Sequence, residues 1–267
     1  MKLLVCVKQV PDTTEISIDP ATGNLIRAGV PSILNPYDRY ALEMALRLRD
    51  ARGAGSITVL SMGPRQAEAV LRDCLALGAD RGVLLCDPAL GGADTLATSY
   101  ALACAVSHLA QEDGPFDLVL CGKQAIDGDT AQVGPELAEH LGLPQVTNVL
   151  EARLEDGALV AVRDNGGSQE RVAAPLPCLV TVTKPFYDLR QPSLKGKLAA
   201  KKADIPVLTA DLLGLDRTRV GLKGSPTRVA RSYVPALKKG AVLLHPQSDL
   251  EAARQLLELL RGRGVTS

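Results

Sequence analysis

Along the first half of the chain, hydrophobic positions alternate between short unbroken runs and runs with helical spacing. Residues 2–8 are almost continuously apolar, which predicts a strand covered on both faces. A loop over Val10–Thr14 follows, then a small hairpin joining Ile16–Ile18 to Asn24–Ile26 across the turn-rich Asp19–Gly23. Asn35 and Pro36 suit the N-cap and first position of a long helix whose Tyr37, Tyr40, Ala41, Met44, Ala45 and Leu48 make one apolar stripe. Ser56–Ser61 reads as a second strand, and Met62-Gly-Pro64 turns into a helix ended by Gly78. A strand over Gly82–Cys86, a helix over Leu96–Leu109, a strand over Phe116–Cys121 and a helix over Glu136–Leu141 follow. Four strand–helix units in succession predict an α/β fold: a doubly wound, mostly parallel sheet with helices on both faces and right-handed crossovers.

After Pro144 the pattern changes. Val146–Leu154, Ala158–Val162, Gln169–Ala173 and Cys178–Val182 are strand-like, with hairpin signals at Asp156-Gly157 and Asn165-Gly-Gly167, and predict an antiparallel extension of the sheet. From Pro185 periodicity fades: 188–202 is basic and loop-like, a long irregular stretch carries Gly221-Leu-Lys-Gly-Ser-Pro-Thr227, and a final amphipathic helix spans about 248–263. This divides the chain into an α/β domain, 1–187, and a C-terminal arm, 188–267. The arm is too weakly patterned to bury a core alone, so it lies on its own domain or on a partner subunit.

Composition narrows the function. The 267 residues carry 30 Lys+Arg and 30 Asp+Glu, no Trp and two Phe, so neither a global field nor a base-stacking surface argues for nucleic acid. No apolar run approaches the roughly 20 residues needed for a transmembrane segment, and no cleavable leader pattern follows Met1–Val7. The six cysteines form no Cys-x-x-Cys pair and have no His at metal-ligand spacing; they read as buried reduced thiols, which predicts a cytoplasmic protein. His108, His140 and His245 are isolated in sequence and read as structural or exposed.

In doubly wound sheets ligands lie beyond the carboxyl ends of the strands, where Lys8–Asp12, Met62–Pro64, Asp87–Thr95 and Gly122–Thr130 all fall. The richest of these turns is Gly122-Lys123-Gln124-Ala125-Ile126-Asp127-Gly128-Asp129-Thr130-Ala131-Gln132-Val133-Gly134. A Gly-rich strand-to-helix turn exposes N–H groups at a helix N-terminus, which favours phosphate. Lys123, Gln124, Thr130 and Gln132 add donors; Asp127 and Asp129 accept from ribose hydroxyls or cap the helix. The alternative is an ordinary connection with a polar cap. Dinucleotide Gly-x-Gly-x-x-Gly, Walker and Gly-x-Ser-x-Gly motifs are absent, and no nucleophile has a neighbouring base, so any chemistry comes from a bound cofactor.

Taken together, Val5-Cys-Val-Lys-Gln-Val-Pro-Asp12, Asn35-Pro-Tyr-Asp38, Ser61-Met-Gly-Pro64, Gly78-Ala-Asp80, the 122–132 turn and Arg190-Gln-Pro-Ser-Leu-Lys-Gly with Lys201-Lys202 resemble, in order and spacing, the beta subunit of electron-transfer flavoproteins. The resemblance covers essentially the whole chain. It implies a heterodimer with an FAD-holding alpha subunit, and a nucleotide in this chain contacted by Cys6, Asn35, Asp38, Met62 and Gly122 to Val133. Ordinary members hold AMP there; electron-bifurcating members hold a second FAD that takes hydride from NADH. Gly91-Gly92-Ala93-Asp94-Thr95-Leu-Ala-Thr98-Ser99 resembles the bifurcating branch. FAD adds a phosphate, a ribityl chain and a ring to AMP and so needs another donor-rich turn, though Asp94 and Thr95 also suit a plain helix cap. That branch implies ferredoxin or flavodoxin as low-potential acceptor and an acyl-CoA dehydrogenase or related dehydrogenase as the other partner. The family's docking loop for the latter is matched by Arg190, Leu194 (its apolar anchor), Lys195, Lys197, Lys201 and Lys202.

Overall fold

The computed structural model describes residues 1–12, 31–230 and 242–266. The hairpin expected within 16–26 lies outside them. In chain order the strands are β1 (Lys2–Cys6), β2 (Gln9–Pro11), β3 (Ser32–Leu34), β4 (Ser56–Met62), β5 (Arg81–Leu85), β6 (Leu118–Gly122), β7 (Gln145–Glu155), β8 (Ala158–Asp164), β9 (Gln169–Pro175), β10 (Cys178–Val182) and β11 (Val207–Leu208). The helices are α1 (Pro36–Arg52), α2 (Glu68–Leu77), α3 (Thr95–Asp113), α4 (Val133–Leu141), α5 (Leu194–Lys202) and α6 (Asp249–Gly262).

The unbroken apolar run of β1 is unbroken because β1 is central: the nine-stranded sheet runs β11-β5-β4-β1-β6-β10-β7-β8-β9. Leu3 and Val5 face one core with α1 and α2, while Leu4 and Cys6 face another with α3 and α4. The expected doubly wound α/β architecture is therefore present. The carboxyl ends of β1 and β6, where strand order reverses, form the switch point at which such sheets bind ligands.

The extension departs from expectation in one strand. β7, β8 and β9 form an antiparallel meander, turning at Asp156 and Gly157 with φ of 48° and 80°. β10 does not join it; it returns to lie between β6 and β7, parallel to both. All five of its residues are buried, which is the signature of an internal parallel strand. The expected loop at Val10 is also a strand, since β2 pairs antiparallel with β3.

The basic segment 188–202 is not a loop throughout. Ser193 Oγ accepts from Gly196 N–H at 3.0 Å and starts α5, and Arg72 of α2 donates to the Ala200, Lys201 and Ala203 carbonyls at its end. Gly196 lets the backbones close up, because a Cβ there would meet Ala76 O at 2.5 Å. With only Ala200 buried, α5 has no apolar stripe to announce it in sequence.

The chain divides into two compact units; of the described residues, 1–12 and 31–230 fall in the first and 242–266 in the second. In the second, α6 is capped by Ser248 and buries none of its residues, with Leu250, Leu256 and Leu257 at 65%, 49% and 41% exposure. Among the described residues no helix is long and apolar enough to cross a membrane.

Candidate functional site

Of the helices that begin at the carboxyl edge of the sheet, α1, α3 and α4 surround the site. Between them lies the 122–134 turn. Gly122 ends β6 against the start of α1, where a Cβ would sit 2.3 Å from Asp38 Oδ1 and 2.7 Å from the backbones of Tyr37 and Asp38. Only glycine fits that approach.

Asn35 and Asp38 hold this turn from behind. Asn35 is fully buried and makes no cap bond of its own; its Nδ2 donates to Gln124 O at 2.8 Å and its Oδ1 accepts from Ile126 N–H at 3.2 Å. The N-cap expectation for its side chain is thus replaced by a cross-link to the turn. Asp38 accepts from Lys8 N–H at 2.7 Å and Gly122 N–H at 3.2 Å, tying the ends of β1 and β6 together. Burial pushes the Asp38 carboxyl up to about 7, against the opposing pull of Asn35 and the two N–H donors. The Lys8 ammonium reaches Asp127 at 2.6 Å, a mostly exposed pair of small net value.

The front of the turn is open. Gln124 Nε2 donates to Asp129 Oδ1, and Asp129 N–H returns to Ala125 O at 2.8 Å. Asp129 and Ala131 both take positive φ, 57° and 55°, a conformation costing a non-glycine residue about 1–2 kcal/mol. Among the described residues, the N–H groups of Thr130, Ala131, Gln132, Val133 and Gly134 meet no acceptor. They lie in sequence at the N-terminus of α4, and a Cβ at Gly128 would meet nothing within 4 Å. Free donors at a positive helix end favour an anion. Cys6 and Cys121, register partners on β1 and β6, sit beneath it with Met62 on the α3/α4 face. The Cys121 thiol is pushed up, first by its hydrogen bond with Cys6 and then by burial.

The second turn, Gly91–Ser99, lies at the start of α3 and is joined to the first. Thr95 Oγ1 donates to Glu136 Oε1 at 3.0 Å and lies 3.4 Å from Gln132 Oε1, and Ser99 Oγ reaches Glu136 Oε2 at 3.3 Å. Asp94 caps α3 by accepting from Ala97 N–H at 3.1 Å. Its other oxygen accepts from the N–H and hydroxyl of Thr227, while Ser225 Oγ accepts from Asp94 N–H. Burial alone would raise the Asp94 carboxyl; these hydrogen bonds hold it below its usual range. Leu222 N–H donates to Gly91 O at 3.1 Å, and Gly92, at φ 73°, packs on the Leu222 side chain. Segment 221–227 is therefore a strap over Gly91, Gly92, Ala93 and Asp94. In sequence it falls in a long irregular stretch, and nothing in its spacing shows what it packs on. Glu136 is the other residue sequence reasoning passed over. Thr98, half-buried, donates its N–H to Asp94 O.

Of the residues expected to dock a partner, Leu194 is 76% exposed; Leu198, one turn on, is 57% exposed. Lys195, Lys197, Lys201 and Lys202 are on the same helix. Arg190 is not a free charge: it pairs with the buried Glu43 at 2.9 Å and with Asp50 at 3.0 Å, fixing the segment to α1.

The electron transfer flavoprotein domain model matches residues 22–213. The chain is 48% identical over 255 residues to the electron transfer flavoprotein beta subunit of Megasphaera elsdenii, covering 95% of this chain and 94% of that one. The chain is a member of the electron-transfer flavoprotein family, as a beta subunit. It is also 44% identical over 265 residues to subunit CarD of the caffeyl-CoA reductase–Etf complex of Acetobacterium woodii, covering 99% and 100% of the two chains. To protein FixA of Bradyrhizobium diazoefficiens it is 47% identical over 264 residues, covering 97% and 91%. Beta subunits of this family pair with an alpha subunit.

Proposed function

We propose that this beta subunit binds FAD at the carboxyl edge of its sheet and serves as the NADH-oxidising half of an electron-bifurcating flavoprotein. One electron goes to ferredoxin or flavodoxin, the other through the alpha-subunit FAD to an acyl-CoA-type dehydrogenase. The observation that carries this reading is the junction of the two turns, Thr95 bonded to Glu136 and 3.4 Å from Gln132. It sets two helix N-termini side by side, which suits a dinucleotide with two phosphates better than a mononucleotide.

The free N–H groups of Thr130 to Gly134 fit a phosphate, so residues of the 122–133 turn would hold the adenylate part. Asn35 and Asp38 act by fixing the turn's backbone, since their polar atoms are already engaged. Cys6 and Met62 form the apolar floor. Gly91 to Thr98 would hold the remainder. A flavin bound there supplies hydride acceptance and one-electron transfer; this chain's part is to bind, orient and shield. The exposed Leu194 on a lysine-rich helix supports docking of an acyl-CoA-type dehydrogenase, an apolar plug with electrostatic steering. The A. woodii relative, named for a caffeyl-CoA reductase–Etf complex, is in keeping with such a partner. A cytoplasmic location follows from the same reading.

A second reading rests on the strap. Because Gly91 and Asp94 are already engaged by 221–227, AMP in the first turn alone would leave the second as plain structure. Asp94→Ala and Thr95→Ala separate the two: under the FAD reading they lower flavin retention more than stability, and unchanged flavin content would sink it. Leu194→Ala should slow electron delivery to the dehydrogenase while NADH oxidation stays intact; equal loss of both would make the helix merely structural.

A further inference from the structure

The outer face of α3 carries a recess that neither nucleotide turn uses. Tyr100, Ser107 and Gln111 line it from one face of α3; His140 from the last turn of α4 and Arg219 from the strand-to-strap segment close a volume of about 480 Å³. Small-molecule sites run from roughly 300 to 1,000 Å³. None of its lining residues is Asp or Glu. Beside it, Glu112 pairs with the lining His108 at 3.3 Å, and Asp216 accepts from the N–H and hydroxyl of Thr218.

Two groups in the recess want a partner. Arg219 lies flat on the Tyr100 ring with its Cζ 3.8 Å from the centroid. Its neighbour Arg217 is ion-paired with Asp87 and Asp211, whereas among the described residues Arg219 makes no direct ion pair and feels the Asp216 carboxylate only as a weaker charge attraction. Stacking holds the planar guanidinium while leaving its in-plane N–H donors unspent. The stack is itself fixed, since Tyr100 Oη accepts from Asp216 N–H at 3.2 Å. The second group is His140 Nε2, buried and without a hydrogen-bond partner. A buried unsatisfied ring nitrogen costs stability unless something outside the chain completes it.

We propose that this recess binds a small anionic metabolite carrying a phosphate or carboxylate group. Arg219 is its charge partner, His140, Ser107 and Gln111 its polar contacts, and the Tyr100 ring holds Arg219 in place. The site is separate from the nucleotide turns and does not depend on which nucleotide fills them.

The test uses the purified heterodimer saturated with its own nucleotide, so that the helix N-termini are filled. Inorganic phosphate and succinate are titrated separately by calorimetry, which tells a phosphate site from a carboxylate site. We expect saturable binding of one probe, weakened at least about tenfold in Arg219→Gln, the loss expected for a hydrogen-bonded charge. His140→Gln should weaken it as well. Tyr100→Phe keeps the ring face but loses the Asp216 bond that fixes it, so it should weaken binding, by less than Arg219→Gln does. Arg219 is exposed, so its variant folds, and unchanged nucleotide content confirms it. No saturable binding of either probe, or equal binding by wild type and Arg219→Gln, overturns the proposal.

Discussion

The two strand-to-helix turns at the carboxyl edge are built alike in sequence and unlike in structure. The 122–134 turn is held from behind, by Asn35 and Asp38, and its donors are free in front. The 91–99 turn is held from the front, by the strap 221–227, and its cap Asp94 is shared between α3 and Thr227. A brace behind leaves the whole ligand surface; a strap in front takes Asp94 and Gly91 O and leaves Gly91 and Gly92 exposed. Rigidity and access are thus combined in the first turn and opposed in the second. The first turn is the anchor under either functional reading, and the second decides between them.

The largest effect expected from breaking this contrast is at Gly122. Gly122→Ala drives a Cβ into the backbones of Tyr37 and Asp38 and should cost about 3 kcal/mol or more by urea unfolding. Gly128→Ala, with nothing within 4 Å, should stay within about 0.5 kcal/mol. Equal costs would mean the brace does not set the turn.

Next is Asp38, whose carboxyl is raised by burial to about 7 from 3.8. The folded state keeps this proton after the unfolded chain has lost it, so stability falls as pH rises between those values. Asp38→Asn cannot ionise. Measured against wild type across that window, the variant should gain relative stability as pH rises; a pH-independent difference would contradict the buried brace. Its offset, from one imperfectly satisfied N–H, should be about 1–3 kcal/mol.

Asn35→Ala should cost about the same and raise amide exchange at Ile126. The smallest effect belongs to the strap: Thr227→Val removes one hydroxyl donor to Asp94 and should cost about 0.5–1.5 kcal/mol, with faster exchange at Asp94 and none at Ile126. Exchange rising at both would merge the two turns into one unit.

The difference between the turns also marks how far the sequence could be read. Strand–helix alternation and Gly-rich turns are local signals, so the parallel sheet, its helices and both turns were legible. The return of β10 between β6 and β7 was not, because a fully buried strand looks the same wherever it pairs. Nor was α5, whose helical state rests on Ser193, Gly196 and the distant Arg72. At the site, Asn35 was placed correctly at the start of α1, but its bonds span some ninety residues to Gln124 and Ile126. Ser225 and Thr227 lie still further from Asp94. Such contacts leave no periodicity to detect.

The central claim is that both turns together hold FAD. The most direct measurement is the nucleotide content of the purified heterodimer, released by denaturation and resolved by chromatography. The account predicts one FAD for each subunit and no AMP. One FAD per heterodimer accompanied by AMP would contradict it.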